Sequence, residues 1–299
     1  MAAFAVPHGI EIPGDDPSPG NLPLAPGATL YTLHDTHGQR NSTLLKDAPR
    51  DVVARFLPEN TYAADCHAFL LEEWDEETDF ERLTLFDAGN GLARDGQLPI
   101  QLAARQVAPE DVTDIAITHL HGDHIGGLLD ADGQAVFPRA TLHIAAAEKA
   151  HWMAEDDTEQ NPSPAVAAVL EAYAGRLNLF TQPFITSRVM AIPIPGHTPG
   201  HTAYAIYADA AEPADPERGS LPAVYIVGDL MHCLPVQLPH PEINMVYDMD
   251  TAQSAAMRRS MLERFAEAGA PWVAGMHFPF PGYGRIERRG EGFALLPPE

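Results

Sequence analysis

Short runs of β-branched and apolar residues alternate along the chain with segments of helical periodicity. Six runs predict strands, at 82–89, 113–120, 140–145, 188–194, 201–208 and 223–230. Three segments predict helices, at 146–153, 165–174 and 252–268. The last helix has Asp250 or Thr251 as its N-cap and Gly269 as its stop. Strands interleaved with helices indicate an α/β layered domain.

The two ends of the chain have patterns of their own. Residues 1–27 are rich in Pro, Gly and Asp, which predicts an extended arm rather than packed secondary structure. Residues 28–299 then form one folded domain, with a solvated loop at 209–220. The ending, from Trp272 onwards, predicts a strand, a Pro/Gly loop and a closing hairpin. The arm could wrap a partner subunit, so a homodimer is one expected assembly.

Composition limits the classes of function. A chain of 299 residues with 45% hydrophobic content can bury one large core and is barely long enough for two domains. Its 18 Lys and Arg against 42 Asp and Glu give a net charge of −24 at pH 7 with neutral histidines. Such a surface repels phosphate backbones and anionic lipid, so we expect neither nucleic acid nor a membrane as a partner. The acidity favours solubility and does not identify a substrate.

The cysteines and the N-terminal residues bear on the compartment. Cys66 and Cys233 are too few for a disulfide framework, which favours a reducing compartment. The first residues, MAAFAVPHGIEIPGDD, lack the basic segment and the apolar run of a secretion signal. Nor does any later stretch approach the roughly 20 apolar residues of a membrane helix. We therefore expect a cytoplasmic protein.

Candidate chemistry is concentrated where the predicted strands end. The segment THLHGDHIGG follows an apolar strand and supplies four potential metal ligands, His119, His121, Asp123 and His124. Its glycines allow a tight turn. A polar, solvated loop is the ordinary interpretation of isolated His or Asp residues. Four such residues at this spacing, directly after a buried type of strand, favour a metal site instead.

Three further residues occur in matching contexts, after a strand and beside glycine: His197, Asp229 and His277. Taken singly, each is as readily a hydrogen-bonded histidine or a turn aspartate. Two metals that share a bridging carboxylate, however, need about the seven protein groups found here. The sequence therefore predicts two bound divalent ions. Zinc is expected, although manganese, iron and cobalt also suit imidazole and carboxylate ligands.

At these residues the chain resembles the metallo-β-lactamase superfamily, whose HxHxDH motif matches residues 119–124. The resemblance covers residues 28–297 and implies a four-layer αββα sandwich that carries its site at one edge, between two sheets. It also implies that Asp87, in LFDAG, supports the ligand loop, where the alternative is an ordinary turn aspartate. The implied ligand sets are His119, His121 and His197 for one ion, Asp123, His124 and His277 for the other, and Asp229 between both.

Several branches of the superfamily fit the sequence less well. The commonest β-lactamases carry Cys where Asp229 stands, and flavodiiron proteins have a Glu in the first motif and need a flavin domain. Persulfide dioxygenases use a single iron, whereas RNA-processing nucleases carry an added domain. Longer segments, FPRATLHIAAAEKAHW at 137–152 and GDLMHCLPVQLPHPEI at 228–243 among them, resemble the family of methyl parathion hydrolase and related lactonases and arylesterases.

This resemblance implies a hydrolase of small-molecule esters, with a lactone or a carboxylic (aryl) ester as substrate and a hydroxide between two metal ions as nucleophile. An organophosphate triester hydrolase is one alternative, although the exported organophosphate enzymes have a secretion signal. An iron-dependent dioxygenase of a sulfur substrate is another, and a non-catalytic binding protein is a third. Asp123 and Asp229 would act in catalysis as metal ligands.

Other residues near the motifs have candidate roles. His232 is the candidate proton donor to the leaving alkoxide, with a packed or surface histidine as the alternative. We expect His201 to begin a strand and Cys233 to be a small buried residue. The candidate apolar walls of a substrate pocket, for each of which core packing is the alternative, are Trp152, Met231, Phe278 and Phe280.

Overall fold

The computed structural model describes residues 20–75, 80–155, 162–209, 221–267 and 271–298, which form two large sheets, a two-stranded ribbon and seven α-helices. The strands are β1 (Asn21–Ala25), β2 (Ala28–Asn41), β3 (Leu45–Lys46), β4 (Thr61–Asp75), β5 (Phe80–Phe86), β6 (Asp114–Ala116), β7 (Thr141–Ala145), β8 (Leu177–Phe180), β9 (Val189–Pro193), β10 (Thr202–Ile206), β11 (Val224–Ile226), β12 (Asn244–Met245), β13 (Trp272–Ala274), β14 (Tyr283–Arg289) and β15 (Gly292–Leu296). The helices are α1 (Arg50–Phe56), α2 (Leu98–Ala104), α3 (Gly122–Ile125), α4 (Ala146–Trp152), α5 (Pro164–Ala172), α6 (Leu234–Gln237) and α7 (Thr251–Phe265).

The first sheet has seven strands in the order β1-β2-β4-β5-β6-β7-β8. Its first half is antiparallel, and β5 to β8 run parallel. Both faces are covered, as consecutive residues of β4 illustrate. Leu70 packs with the residues beneath the helices and Leu71 with those between the sheets, and both are fully buried. Side chains alternate along a strand, so apolar residues at successive positions require a layer on each face.

The second sheet has six strands in the order β15-β14-β13-β11-β10-β9. Only β11 and β13 are parallel among its described pairs. Helix α7 covers its outer face through Met261, Leu262 and Phe265, which repeat at helical spacing. The closing strand, loop and hairpin predicted from Trp272 onwards are confirmed as β13, β14 and β15.

The two sheets face each other across a shared core. Phe86 of the first sheet and Tyr204 of the second lie in that core, with ring centroids 5.4 Å apart. On the far side of the first sheet, residues of α2, α4 and α5 such as Leu98, Trp152 and Val169 form a separate core. The layers are therefore helix, sheet, sheet and helix, which confirms the predicted αββα sandwich. None of the described helices is long and apolar enough to cross a bilayer.

The six predicted strands and three predicted helices are present, with ends that differ from the prediction by up to four residues. Strand β6, for example, covers only 114–116 of the predicted 113–120, because the chain leaves the sheet where the ligand loop begins. Helix α7 starts after Asp250, whose carboxylate accepts a hydrogen bond from the backbone N–H of Gln253 at 2.9 Å. The predicted stop at Gly269 and the loop at 210–220 lie outside the described residues.

The last part of the predicted N-terminal arm forms a strand instead of an extended, unpaired segment. Residues 21–25 form the edge strand β1, in which Leu22 pairs with Leu30 and is 6% exposed. Burial of this leucine explains the strand. Pro23 is tolerated there because an edge strand leaves one row of backbone groups unpaired. Residues 1–19 lie outside the described residues.

Candidate metal centre

Four loops bring the seven predicted ligands to one edge of the two sheets. The loop after β6, which includes α3, carries the residues of the HxHxDH motif, and His197 lies between β9 and β10. Asp229 and His277 follow β11 and β13, which are parallel neighbours. The carboxyl ends of parallel strands meet at one edge of a sheet, so residues far apart in sequence converge there.

His119, His121, His197 and Asp229 form the first group of ligand atoms. The Nε2 atoms of His119 and His197 lie 2.8 and 3.0 Å from Nδ1 of His121. The same two Nε2 atoms lie 3.6 and 3.3 Å from Oδ2 of Asp229. Three imidazole nitrogens and one carboxylate oxygen are the donor set typical of a tetrahedral zinc site.

The second group faces the other oxygen of the same carboxylate. Oδ1 of Asp229 lies 3.1 Å from Nε2 of His124 and 3.2 Å from Nε2 of His277. Asp123 completes this side, with its two oxygens 3.8 and 3.7 Å from those nitrogens. Asp229 thus separates the two groups and presents one oxygen to each.

Four of the five histidines have their other ring nitrogen held by the protein. Nδ1 of His124 contacts Asp87 at 2.6 Å, that of His197 contacts Asp248 at 2.9 Å, and that of His277 donates to the backbone oxygen of Asp65 at 2.8 Å. The Thr118 hydroxyl, 3.1 Å from Nδ1 of His119, plays the same part. These contacts fix the rings with Nε2 facing Asp229, as in protein metal sites, where outer partners select the ligating tautomer.

Asp87 organises the ligand loop as well as His124. Its Oδ1 accepts a hydrogen bond from the Thr118 backbone N–H at 2.8 Å, and its Oδ2 accepts one from the Thr118 hydroxyl at 2.7 Å. The side chain is completely buried. The structure therefore places Asp87 where the support role inferred from the sequence requires it.

A buried ion pair beneath His197 escaped the sequence analysis. Besides contacting His197, Asp248 accepts hydrogen bonds from Arg258 Nη2 at 3.1 Å and from the Met245 backbone N–H at 2.9 Å. Arg258 is fully buried in α7 and also donates to three backbone oxygens, those of Leu230, Pro241 and Ile243. A lone Asp in a loop and an Arg in a predicted helix carry no sequence signal for such a contact.

Glu148 was missed for the same reason. This residue of α4 is 1% exposed and accepts hydrogen bonds from the backbone N–H groups of Leu120 and Gly200, both at 2.9 Å. Its carboxylate therefore ties the loop of His119 and His121 to the loop of His197. His201 lies beside the same centre and accepts a hydrogen bond from the backbone N–H of Asp229 at 3.1 Å. It directly precedes β10.

Charge in the centre is distributed unevenly. Burial, reinforced by the neighbouring imidazole of His124, holds the pKa of His119 well below its usual value. Burial also lowers the pKa of His124, but the carboxylates of Asp229 and Asp87 outweigh it and raise that pKa well above its usual value. The carboxylates of Asp229 and Asp87 thus favour a positive charge on the imidazole of His124. A bound cation would displace the protons held there.

Two inward-facing atoms indicate that the residues fit metal ions. Nε2 of His124 and Oδ1 of Asp229 are buried and make no hydrogen bond in this structure, although they lie 3.1 Å apart. Buried polar atoms are nearly always paired, because burying them unpaired is costly. A metal ion between the imidazoles and the carboxylate would supply the partner that both atoms need.

The centre opens into a cavity of about 990 Å³. His121, Asp123, Asp229 and His277 lie in its lining, and so does His232. His232 is 8% exposed, and its Nε2 is 2.9 Å from Oδ2 of Asp229. It thus lies beside the metal ligands without belonging to either group.

The four apolar residues predicted as pocket walls do not line this cavity. Trp152, Met231 and Phe278 are buried in the cores beneath the helices, where packing stabilises them. Phe280 is 47% exposed, and its ring centroid lies 5.8 Å from that of His34, which does line the cavity. The prediction of an apolar pocket is therefore wrong for these residues. Most residues that line the cavity are polar, and Tyr62 and Tyr247 are among them.

The two cysteines are free and buried. Cys233 packs in an apolar cluster, as expected. Cys66 lies unexpectedly close to the centre, with Sγ within 4.8 Å of ligand atoms of Asp123 and His277. Burial and the neighbouring carboxylates raise the pKa of the Cys66 thiol well above its usual value. Its Sγ donates a hydrogen bond to the backbone oxygen of Asp123 at 3.7 Å, so Cys66 packs beside the centre.

Comparison with known proteins agrees with the fold and the ligand motif. The model of the metallo-β-lactamase superfamily matches residues 63–211. A Mycobacterium tuberculosis protein described as a probable metallo-hydrolase is 29% identical over an alignment covering 48% of this chain and 53% of that protein. The chain thus spans about half the length of this curated relative.

Two solved structures share the architecture over nearly the whole chain. The hydrolase AbOPH, of the β-lactamase superfamily, superposes with a TM-score of 0.78 at 24% identity, over 95% of this chain and 99% of that one. AidC, a dizinc quorum-quenching lactonase, superposes with a TM-score of 0.76 at 23% identity, over 93% and 97%. The sandwich, the superfamily match and the HxHxDH loop together identify the chain as a member of the metallo-β-lactamase superfamily.

Proposed function

We propose that the protein is a dinuclear metal-dependent hydrolase of small-molecule esters, with a lactone or a carboxylic ester as its substrate. The observation that carries this proposal is the position of Asp229. Its Oδ2 faces Nε2 of His119 and His197, and its Oδ1 faces Nε2 of His124 and His277. One carboxylate between two sets of imidazoles is the arrangement expected of a bridging ligand.

The seven ligands would hold two divalent ions, for which zinc is the expected metal. When bound, such ions supply a water of lowered pKa and polarise the carbonyl oxygen of the substrate. The protein's own part is to fix the ligands before the substrate arrives. Asp87 and Asp248 orient His124 and His197, so little rearrangement accompanies the reaction.

His232 is proposed to carry the proton that the leaving alkoxide requires. It lines the cavity, and its Nε2 contacts Oδ2 of Asp229. Burial lowers the pKa of His232, although the Asp229 carboxylate opposes this effect. The Asp229 carboxylate would stabilise an imidazolium at this position. That imidazolium would give one proton to the alkoxide, become neutral and take its next proton from water.

The shape and polarity of the cavity restrict the substrate. Its volume of about 990 Å³ lies near the upper end of ordinary ligand pockets, which span roughly 300 to 1,000 Å³. Most of its lining residues are polar, but the lining surface is divided almost evenly between polar and apolar atoms. We therefore favour esters or lactones that combine polar groups with an apolar acyl part. AidC, whose structure contains the product N-hexanoyl-L-homoserine, supports the lactone class as the first to test.

Hydrolysis assays on metal-reconstituted protein test this function. The panel comprises alkyl lactones, aryl esters and p-nitrophenyl phosphotriesters, assayed with parent protein, Asp229→Ala and Asp132→Ala. Asp132 is an exposed loop residue and serves as the matched control. We expect hydrolysis of a lactone or carboxylic ester, nearly abolished in Asp229→Ala and unchanged in Asp132→Ala. Turnover of phosphotriesters alone, or parental activity in Asp229→Ala, would contradict the proposal.

A further inference from the structure

A second cluster of ligand-type side chains lies on β2 and β4, outside the seven residues of the metal centre. Residues three apart in a regular strand point to opposite faces of the sheet. His34 and His37 nevertheless share one face, because a bulge inserts Asp35 between the positions that pair with β4. His37 pairs directly with Asp65 across the two strands. The bulge therefore gathers two imidazoles and a carboxylate at one place.

The three side chains are close enough to share an ion. One donor atom from each lies within 4.8 Å of the other two. Nε2 of His34 is 3.7 Å from Oδ1 of Asp65, and Nδ1 of His37 contacts the same oxygen directly. The other oxygen, Oδ2, accepts a hydrogen bond from the backbone N–H of Phe280 at 3.0 Å, which fixes the carboxylate.

One atom of the cluster lacks a partner. Nε2 of His34 is buried and makes no hydrogen bond, although the ring as a whole is one-third exposed. Among the described residues, Oδ1 of Asp65 is the nearest carboxylate oxygen to this nitrogen, at 3.7 Å, which leaves room for an ion between the two atoms.

We propose that His34, His37 and Asp65 form a third metal site, which takes a divalent transition-metal ion such as Zn²⁺. Two imidazole nitrogens and one carboxylate oxygen suit zinc, and three protein ligands leave a coordination position for water or a substrate group. All three residues line the same cavity as the metal centre. The site is connected to that centre, because the backbone oxygen of Asp65 accepts the hydrogen bond from Nδ1 of His277.

Metal counting on matched variants tests the third site. Parent protein, the double variant His34→Ala/His37→Ala and His240→Ala are equilibrated with excess Zn²⁺ and desalted, and zinc per chain is measured by mass spectrometry. His240 is the control because it forms a similar accessible pair with a carboxylate, 3.1 Å from Glu242, but has no third ligand among the described residues. Both altered histidines of the double variant are partly solvent-exposed, so we expect it to fold, which far-UV circular dichroism checks.

The expected result is one zinc ion fewer per chain in the double variant than in the parent, and no loss in His240→Ala. A Co²⁺ titration followed by visible absorption should show one binding phase missing in the double variant. Equal counts in the parent and the double variant would overturn the site, whatever the total. A loss of one ion in His240→Ala as well would show adventitious binding to surface histidines and would also overturn it. Because the readout is a difference, it is independent of whether the dinuclear centre fills.

Discussion

Replacing Asp248 by alanine tests how the buried ion pair supports the metal centre. The substitution removes the acceptor of three hydrogen bonds, from His197, Arg258 and the backbone N–H of Met245. Both side chains of the Asp248–Arg258 pair are 0% exposed, so the guanidinium stays buried without its counter-charge. Loss of one partner of a buried ion pair typically costs about 3–5 kcal/mol of folding free energy.

The other hydrogen bonds of Arg258 and Met245 determine how much folding free energy is lost. Arg258 keeps neutral acceptors, among them the backbone oxygen of Leu230 at 2.7 Å and the Ser254 hydroxyl at 2.9 Å, which moderate the loss. The backbone N–H of Met245 would lose its acceptor, and this adds roughly 1–3 kcal/mol to the loss of folding free energy where water does not reach it. We therefore expect Asp248→Ala to lower the free energy of unfolding by about 3–5 kcal/mol. Asp248→Asn keeps an acceptor oxygen and should cost about 1–3 kcal/mol.

Urea denaturation of chelator-treated protein measures this effect without a contribution from metal binding. The control Asp132→Ala, at an exposed position, should stay within about 0.5 kcal/mol of the parent. Both Asp248 variants should also bind metal roughly 10- to 100-fold more weakly, because His197 loses the group that orients it. An Asp248→Ala protein within about 1 kcal/mol of the parent would refute the argument that Asp248 neutralises a buried charge.

Three further predictions concern the centre itself. Asp87→Ala should weaken metal binding about 10- to 100-fold by freeing His124, measured by competition with a chromophoric chelator; an unchanged affinity would remove Asp87 from the site. His232→Ala should keep its metal content yet slow alkyl lactones by about 10²–10⁴-fold and activated aryl esters much less; an equal loss on both substrates would exclude the proton-donor role. Burial lowers the pKa of His197, but hydrogen bonds to Asp229 and Asp248 raise it to about 9. Protons therefore compete with the metal below that pH, and metal affinity should rise as the pH increases towards 9; an affinity independent of pH would contradict this.

Local sequence patterns predicted the layered fold and the convergence of the metal ligands because both depend on short segments. The motif at 119–124 places four side chains on one loop, and each remaining ligand follows a recognisable strand. By contrast, the long strands β2 and β4 were not predicted. The second half of β2, with Asp35, His37 and Arg40, is too polar to show the apolar alternation of a core strand.

The residues that orient the ligands depend on tertiary contacts instead. Asp248 lies 51 positions from His197, and Asp65 lies 212 positions from His277. The prediction that apolar residues beside the motifs line the pocket was wrong for a related reason. Met231 and Phe278 lie within two positions of a metal ligand in sequence, yet their side chains turn into the core. Sequence proximity to a ligand does not determine which way a side chain points.

Anomalous X-ray diffraction from crystals grown with Zn²⁺ or Co²⁺ tests the central claim most directly, because it locates the ions as well as counting them. We predict two peaks roughly 3.5–4 Å apart, one at each oxygen of the Asp229 carboxylate. The first should lie among His119, His121 and His197 and the second between His124 and His277. A single peak in this region, or two peaks of which neither contacts Asp229, would contradict the dinuclear centre.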